Sequence, residues 1–309
     1  MVALTSLRVR SFAKVNLGLE VLGLRADGYH ELRTLFQTVD LHDDVLVRLP
    51  RRSRDVVVRC DHPLVPADDT NLAYRAAVAL RRYARVSAGV AIEITKRIPV
   101  GGGLGGGSSN AAAVLMALDR LWKLGLGPAG LHSLARRLGA DVPFFLVGGT
   151  ALGLGRGDEV YPLHRQVKGH LAIANPGCPV STAAVFRRID ARLTPRENSN
   201  SIFLFVSRDL EGRDGWSLLA NDLEEAAFEA APTLKAGAGR IRGLLLREGA
   251  RLVALSGSGS SYFGLFEDPA RARRAVSALR EAGVEACRAR TLSVDQYRRA
   301  WSVGAASLR

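Results

Sequence analysis

The sequence predicts an α+β protein of two domains, each with helices packed on one antiparallel sheet. The chain has 309 residues, about twice the length of a typical domain. Segments of alternating apolar residues, which predict strands, are mixed with segments of helical periodicity in no regular βαβα order. The apolar and charged shares, 47% and 24%, are those of an ordinary globular protein. We place the boundary near Glu159, which gives domains of residues 1–158 and 159–309.

The first strand is predicted at residues 9–21, where apolar side chains occupy mainly odd positions. This period describes a half-buried strand and places Lys14 and Asn16 together on its opposite face. Further elements of the first half follow in order: extended segments at 34–41, 45–49 and 55–59, a helix at 71–83, a strand at 90–94, a helix after Asn110, a helix at 128–138 and glycine-rich strands at 148–161.

The second half begins with a strand at 171–174 and a helix at 182–189. The stretch 198–215 is polar and predicts an irregular loop. The remaining elements are helices at 218–231 and 234–247, strands at 251–255 and 262–266 around the turn from Ser256 to Ser261, a helix at 269–282 and a strand at 284–290.

A glycine-rich segment between the strand at 90–94 and the next helix is the strongest local signal. It consists of Pro99, Val100, Gly101, Gly102, Gly103, Leu104, Gly105, Gly106, Gly107, Ser108 and Ser109. Glycines let successive backbone N–H groups converge on a phosphate, and a helix N-terminus adds partial positive charge. We expect Ser108, Ser109 or Asn110 to cap the helix. The segment therefore predicts a phosphate-binding loop rather than a flexible linker.

Spacing separates the known phosphate-binding motifs. No Lys-Ser or Lys-Thr follows the last glycine, which excludes a Walker A motif. Gly101, Gly103 and Gly106 match G-x-G-x-x-G, but a second helix follows where a dinucleotide fold requires a strand ending in an acidic residue. The H-R-D and D-F-G motifs of protein kinases are absent from the sequence.

The formal net charge of +13 fits a nucleic acid, a membrane surface or acidic small molecules as partner. The basic residues lie in small scattered groups, as expected of an arginine-rich solvated surface. Cys60, Cys178 and Cys287 have no metal-site or disulfide spacing. The N-terminus lacks an apolar signal region, and the longest uncharged stretch, 142–155, is too short to span a bilayer. We expect a cytoplasmic protein without a membrane or nucleic-acid partner.

Four further segments extend the pattern beyond the glycine loop. They are Ala13-Lys14-Val15-Asn16-Leu17 with Arg25-Ala26-Asp27-Gly28-Tyr29-His30, then Leu138-Gly139-Ala140-Asp141-Val142-Pro143, then Pro176-Gly177 with the residues to Phe186, and Ser256-Gly257-Ser258-Gly259-Ser260-Ser261. In this order and spacing, the chain resembles the GHMP kinase superfamily. Within it, the segment 25–30 resembles the branch that phosphorylates a cytidine-diphosphate-activated methylerythritol in isoprenoid biosynthesis.

The resemblance implies a fold and a chemistry. The implied fold pairs an ATP-binding domain like domain 2 of ribosomal protein S5 with a ferredoxin-like substrate-binding domain. Asp141 would accept the proton of the substrate hydroxyl, and Lys14 would stabilise the ionised carboxylate and the developing alkoxide. The residues alone leave a structural ion pair open for these two side chains.

The remaining roles also come from the resemblance. Residues 99–109 would wrap the phosphates of ATP, Ser108 or Ser109 would touch Mg²⁺, and Asn71 and Lys96 would form the adenine pocket. Tyr29 and Phe186 would enclose the cytosine ring, His30 would contact its polar edge, and Asn16 the polyol, with Thr182 and Arg187 as weaker candidates. Phe186 as a core residue remains an alternative, and the turn from Ser256 to Ser261 would be either a support of the site or a plain hairpin turn.

Two alternative functions remain open at this point. One is another GHMP kinase that acts on homoserine, mevalonate or galactose. The other is a non-catalytic protein that binds nucleotides or nucleic acid, for which the net charge is the argument. The sequence shows no carboxylate cluster for a metal, leaves the metal ligands unassigned, and does not predict the oligomeric state.

Overall fold

The computed structural model describes residues 5–190, 201–207 and 215–303. The first domain contains the strands β1 (Ser6–Leu24), β2 (His30–Arg48), β3 (Val56–Cys60), β4 (Val90–Thr95), β5 (Thr150–Leu154) and β6 (Glu159–Pro162). Its helices are α1 (Leu72–Ala84), α2 (Gly106–Leu121), α3 (Gly127–Leu138) and α4 (Phe144–Val147).

The first sheet has the order β3-β4-β2-β5-β6, and β1 pairs with β2. Its β3 and β4 are parallel, so the prediction of a purely antiparallel sheet was wrong for this pair. The reason is the connection: α1 lies between the two strands and returns the chain to the same end of the sheet, as in other parallel crossovers.

β1 is longer and more buried than the half-buried strand predicted. Every residue from Ser11 to Val21 is buried. Val9 belongs to the core beneath α1 and α2, whereas Val15 and Leu17 pack with Leu171 and Phe263 of the second domain. β1 thus lies between two cores, which is why its polar face is also removed from water.

β2 is continuous where the sequence predicts two extended segments. The gap between the two predicted segments consists of the polar residues His42, Asp43 and Asp44. Asp43 is fully buried, and its carboxylate accepts hydrogen bonds from the Lys96 ammonium and from the backbone N–H groups of Arg97 and Ile98. A buried carboxylate with three donors is compatible with the strand interior, so pairing continues.

The second domain contains β7 (His170–Asn175), α5 (Thr182–Asp190), α6 (Ser201–Ser207), a 3₁₀ turn (Gly215–Leu218), α7 (Glu224–Ala230), α8 (Pro232–Arg247), β8 (Leu252–Leu255), β9 (Tyr262–Phe266), α9 (Pro269–Glu281) and β10 (Glu285–Arg290). A last helix, α10, spans Val294–Val303. The strand order β10-β7-β9-β8 is antiparallel throughout. This is the ferredoxin-like arrangement that the resemblance implied.

Three helices of the described residues were not predicted, namely the short α4 together with α6 and α10. α6 lies inside the stretch 198–215 that the sequence described as an irregular loop, so that description was wrong for Ser201–Ser207. Residues 198–200 and 208–214 of this stretch lie outside the described part of the chain. α10 returns to the first domain, where the Tyr297 ring lies 5.5 Å from the Phe12 ring.

The domain boundary near Glu159 stays a prediction. β6 begins at Glu159 and adds to the first sheet through β5, and α10 packs on β1. Among the helices within residues 5–190, 201–207 and 215–303, none has the length and apolar character of a membrane span.

Candidate active site

A cavity of about 720 Å³ lies between the two domains. The glycine loop and the catalytic candidates line one part, and the 25–30 segment and α5 line the other. The cavity lining includes Lys14, Asn16, Tyr29, His30, Thr34, Gly103, Gly105, Ser108, Asp141, Arg156, Thr182, Phe186, Arg187, Gly257 and Ser258. The structure therefore brings the two catalytic candidates, part of the glycine loop and all six predicted substrate residues to one space.

The glycine loop ends at the N-terminus of α2, one turn earlier than predicted. Gly105 with φ of +71° precedes the helix and makes no side-chain cap, so the expectation that Ser108, Ser109 or Asn110 caps α2 was wrong. The N–H groups of the first helical turn have no intrahelical acceptor. They are free to face an anion, and Ser108 lines the cavity beside them.

Several glycines of this loop are required by close approach. A Cβ atom on Gly103, whose φ is +72°, would lie 2.0 Å from the Ser256 carbonyl oxygen. One on Gly105 would lie 2.7 Å from the Phe145 ring. Only glycine satisfies both the left-handed backbone and the missing space at these positions.

The turn from Ser256 to Ser261 holds the loop in place. The Ser256 hydroxyl donates to the Gly103 carbonyl at 3.0 Å, and the Ser261 N–H donates to the Gly102 carbonyl at 3.1 Å. Asn221 supports the turn from behind by donating to the carbonyls of Leu255 and Gly257. The turn is thus in direct contact with the glycine loop, as a supporting segment would be. Asn221 was not among the predicted site residues.

Lys14 and Asp141 form an ion pair at the centre of the cavity. The Lys14 Nζ atom lies 3.5 Å from Asp141 Oδ2, and the side chains are 3% and 35% exposed. The Asp141 carboxylate is therefore partly open to the cavity, whereas the Lys14 side chain is almost fully buried and lines the cavity wall. Asp141 follows α3 in a short turn, and Val142 and Phe144 after it are buried and anchor the segment.

Asn16 shares the face of Lys14, as predicted. The Lys14 ammonium donates to Asn16 Oδ1 at 2.5 Å, and Asn16 Nδ2 donates to the Thr34 hydroxyl at 2.8 Å. Thr34 in turn donates to the Gly18 carbonyl at 2.8 Å. The ladder between β1 and β2 is irregular between Phe12 and Lys14 and between Asn16 and Gly18, and such irregularities redirect side chains near sites. The role of Thr34 was not predicted.

The other end of the cavity is lined by aromatic rings and cations. The His30 and Phe186 rings lie 4.8 Å apart at 30°. Phe186 also packs against the second-domain core, so it is both a core residue and part of the cavity wall. Tyr29 is 56% exposed on a turn in which its N–H donates to Asp27. The Thr182 hydroxyl lies 2.8 Å from that of Ser258, which connects α5 to the supporting turn.

Arg156 also lines this end and is paired with Asp158; neither residue was predicted as part of the site. The guanidinium carbon of Arg156 lies 4.8 Å from the centre of the Tyr29 ring. Asp158, which is 1% exposed, accepts from Arg156 at 2.9 Å and from Arg136 at 2.8 Å. Burial alone would raise the pKa of Asp158, but these two hydrogen bonds outweigh it and hold the pKa below its ordinary value. The Gly155-Arg156-Gly157-Asp158 turn signal was the available clue.

The remaining predicted ATP residues lie apart from the cavity lining. Ser109 is buried and accepts from the Ser11 hydroxyl at 2.7 Å, which favours Ser108 for a phosphate contact. Asn71 caps α1 through the Ala73 N–H and donates to the Pro66 carbonyl. The Lys96 ammonium binds Asp43 at 2.6 Å and lies beside Gly106 at the start of α2. Pro99 and Val100 lead from β4 into the loop.

Within the described residues, no group of three or more His, Cys, Asp or Glu side chains is arranged to hold a metal ion.

Comparison with known proteins agrees with this geometry. The model of the GHMP kinases N terminal domain matches residues 71–149, and that of the GHMP kinases C terminal matches residues 212–285. A 4-diphosphocytidyl-2-C-methyl-D-erythritol kinase of Gloeobacter violaceus is 42% identical over 91% of this chain and 92% of its own length. Its counterpart from a Synechococcus strain is 44% identical over 86% of this chain and 87% of its own length. The chain belongs to this family of GHMP kinases.

Solved structures show the same fold. A crystal structure of 4-(cytidine 5'-diphospho)-2C-methyl-D-erythritol kinase, 40% identical, superimposes with a TM-score of 0.73 over 92% of this chain and 98% of that one. A homoserine kinase from Cytophaga hutchinsonii has a TM-score of 0.74 at 20% identity, covering 95% of this chain and 96% of its own, which shows the fold alone. Membership of the family makes the chain an ATP-dependent small-molecule kinase.

Proposed function

We propose that this protein transfers the γ-phosphoryl group of ATP to the 2-hydroxyl of 4-diphosphocytidyl-2-C-methyl-D-erythritol. The observation that carries the proposal is the position of the Lys14 and Asp141 pair. It lies in one cavity with the glycine loop on one side and the aromatic pocket of Tyr29, His30 and Phe186 on the other. Such a cavity suits a reaction between a nucleoside triphosphate and an acceptor that also carries a nucleobase.

The phosphate end would act mainly through positioning. The N–H groups at the start of α2 and the Ser108 hydroxyl would bind the phosphates of ATP, and the fixed loop would need little rearrangement. Mg²⁺, bound mainly by the nucleotide, would neutralise charge on the transferred group. The α2 terminus and the Lys14 ammonium supply the protein's share of positive charge.

At the centre, Asp141 would accept the proton of the acceptor's 2-hydroxyl. The hydroxyl oxygen would form a bond to the γ-phosphorus while the bond between the γ-phosphorus and ADP breaks. Lys14 lies 3.5 Å from the carboxylate and would stabilise the negative charge on the reacting oxygen. Asn16, whose amide orientation is fixed by Lys14 and Thr34, would orient the polyol.

At the far end, Tyr29 and Phe186 would enclose the cytosine ring and His30 would contact its polar edge. Thr182 and Arg187 at α5 would contact the rest of the acceptor, and the guanidinium of Arg187 suits an acceptor with a diphosphate. We propose no nucleic-acid partner, because the basic residues lie in scattered groups.

A coupled ADP-release assay with Mg-ATP and an acceptor panel tests the function. We expect turnover with the cytidine-activated methylerythritol and none with homoserine, mevalonate or galactose. Turnover with one of those three instead would replace the acceptor assignment. Absence of ADP release with all four, together with salt-sensitive binding of duplex DNA or tRNA, would replace the reaction itself.

A further inference from the structure

Arg156 covers one face of the Tyr29 ring at the open end of the cavity. The guanidinium carbon lies 4.8 Å from the ring centre, within cation–π distance. Tyr29 stands on a short turn and is 56% exposed, so little else restricts its ring. A mobile aromatic side chain loses rotamer freedom when it stacks on a ligand, and this loss weakens binding unless the ring is already held.

Arg156 is itself fixed by buried groups. Its Nη2 atom lies 2.9 Å from Asp158 Oδ2, and Arg136 holds the same oxygen from the other side at 2.8 Å. The hydrogen bond that Arg156 donates to Asp158 raises the pKa of the guanidinium and outweighs the effect of burial, which works against the charge. The Leu32 N–H donates to the Gly155 carbonyl at 2.6 Å, which connects this turn to β2 two residues beyond His30.

We propose that Arg156 is a positioning residue of the nucleobase pocket. It holds the Tyr29 ring in place from behind and leaves the other face of the ring for the base of the acceptor. The inference rests on the proposed function, because it takes the acceptor to carry a nucleobase. Arg156 would touch no reacting atom and would affect acceptor affinity through Tyr29.

The expected signature is a change in acceptor affinity alone. Arg156→Gln removes the cation, so the KM for the acceptor should rise roughly 3- to 10-fold while kcat and the KM for ATP stay constant. Arg156→Lys keeps the charge but lacks the planar group and its paired hydrogen bonds, so its effect should be smaller. Arg137→Gln, an exposed neighbour of Arg136 on α3, is the matched control and should behave as wild type.

A double-mutant cycle shows whether Arg156 acts through Tyr29. Binding of CDP is measured by calorimetry for wild type, Arg156→Gln, Tyr29→Leu and the double variant, beside turnover and thermal unfolding. We expect Arg156→Gln to weaken CDP binding in the wild-type background and to have no further effect in the Tyr29→Leu background. Additive effects, or wild-type CDP affinity in Arg156→Gln, would overturn the proposal.

These measurements distinguish an incorrect role for Arg156 from an incorrect reaction. Should the reaction itself be wrong, wild type would show neither turnover of the cytidine-activated acceptor nor CDP binding. Should only this inference be wrong, wild type would show both, and Arg156→Gln would match it in KM. Unfolding curves confirm that each variant is folded at the assay temperature.

Discussion

The two ends of the cavity are built from different parts of the chain. At the glycine-loop end, which we assign to the phosphates and call the phosphate end, backbone atoms predominate: the carbonyls of Gly102, Gly103 and Leu104 accept from Ser261, Ser256 and Lys14. At the opposite end, which we assign to the nucleobase and call the nucleobase end, side chains predominate, on an exposed turn and the face of α5. The phosphate end should therefore be sensitive to added atoms, whereas the nucleobase end should be sensitive to removed ones.

Gly103→Ala should have the largest effect of the substitutions that compare the two ends. The new Cβ would lie 2.0 Å from the Ser256 carbonyl oxygen, so the loop or the supporting turn must move. The positive φ adds about 1–2 kcal/mol of strain. We expect the KM for ATP to rise more than about 100-fold, as displaced N–H groups no longer converge on the phosphates. Steady-state kinetics with ATP varied measures this.

Gly101→Ala is the control for the contact. Gly101 has a similar φ of +71°, but a Cβ there meets no atom within 4 Å. It should therefore show the backbone strain alone, with a far smaller change in the KM for ATP. Equal effects of the two variants would show that the contact with Ser256 is unimportant.

Tyr29→Leu should affect the nucleobase end only. Loss of a stacked aromatic ring costs about 1–3 kcal/mol, which corresponds to a KM for the acceptor roughly 5- to 100-fold higher. Tyr29→Phe keeps the ring and should stay within about threefold of wild type. A rise in the KM for ATP as large as that for the acceptor would contradict the separation of the two ends.

Asp158→Asn should have the smallest effect, and mainly on stability. The pKa of Asp158 is lowered in the fold, so the unfolded chain binds more protons and the stabilisation rises with pH. This stabilisation is complete above pH 3.8, the ordinary pKa of an aspartate, and is lost as the pH falls through the lower pKa that Asp158 has in the folded protein. We expect the variant to be about 2 kcal/mol less stable near neutral pH.

Urea unfolding of Asp158→Asn and wild type across pH checks this expectation. The difference between the two proteins should shrink only in strongly acidic solution. Glu159→Gln is the control, since this exposed carboxylate lies 3.8 Å from Arg136 and should contribute little. A stability difference that is constant down to the lowest pH would show that the charge of Asp158 is not the cause.

Features that depend on neighbouring residues along the chain could be predicted from the sequence. The alternation at 9–21 placed Lys14 and Asn16 on one face, and the glycine pattern located the loop before α2 that lines part of the cavity. The sequence was insufficient where partners are distant. The strand was not predicted through residues 42–44, because the donors that satisfy the Asp43 carboxylate, including Lys96, lie on another segment.

Arg156 was missed for the same reason. Its partners are Tyr29 from the β1–β2 turn and Asp158, which it shares with Arg136 of α3. No local pattern reports such contacts, and the Gly155-Arg156-Gly157 turn alone describes only a bend. The full burial of β1 was likewise unpredictable, because the second domain that covers it begins more than a hundred residues later.

The most direct test of the account is Asp141→Asn, because both ends of the cavity meet at this carboxylate. Turnover is measured with saturating Mg-ATP, and acceptor binding is measured separately by calorimetry. The account predicts a kcat lower by about 10²- to 10⁴-fold with acceptor affinity within a few-fold of wild type. A variant with nearly normal kcat, or one that loses binding together with turnover, would contradict the assignment of Asp141 as the base.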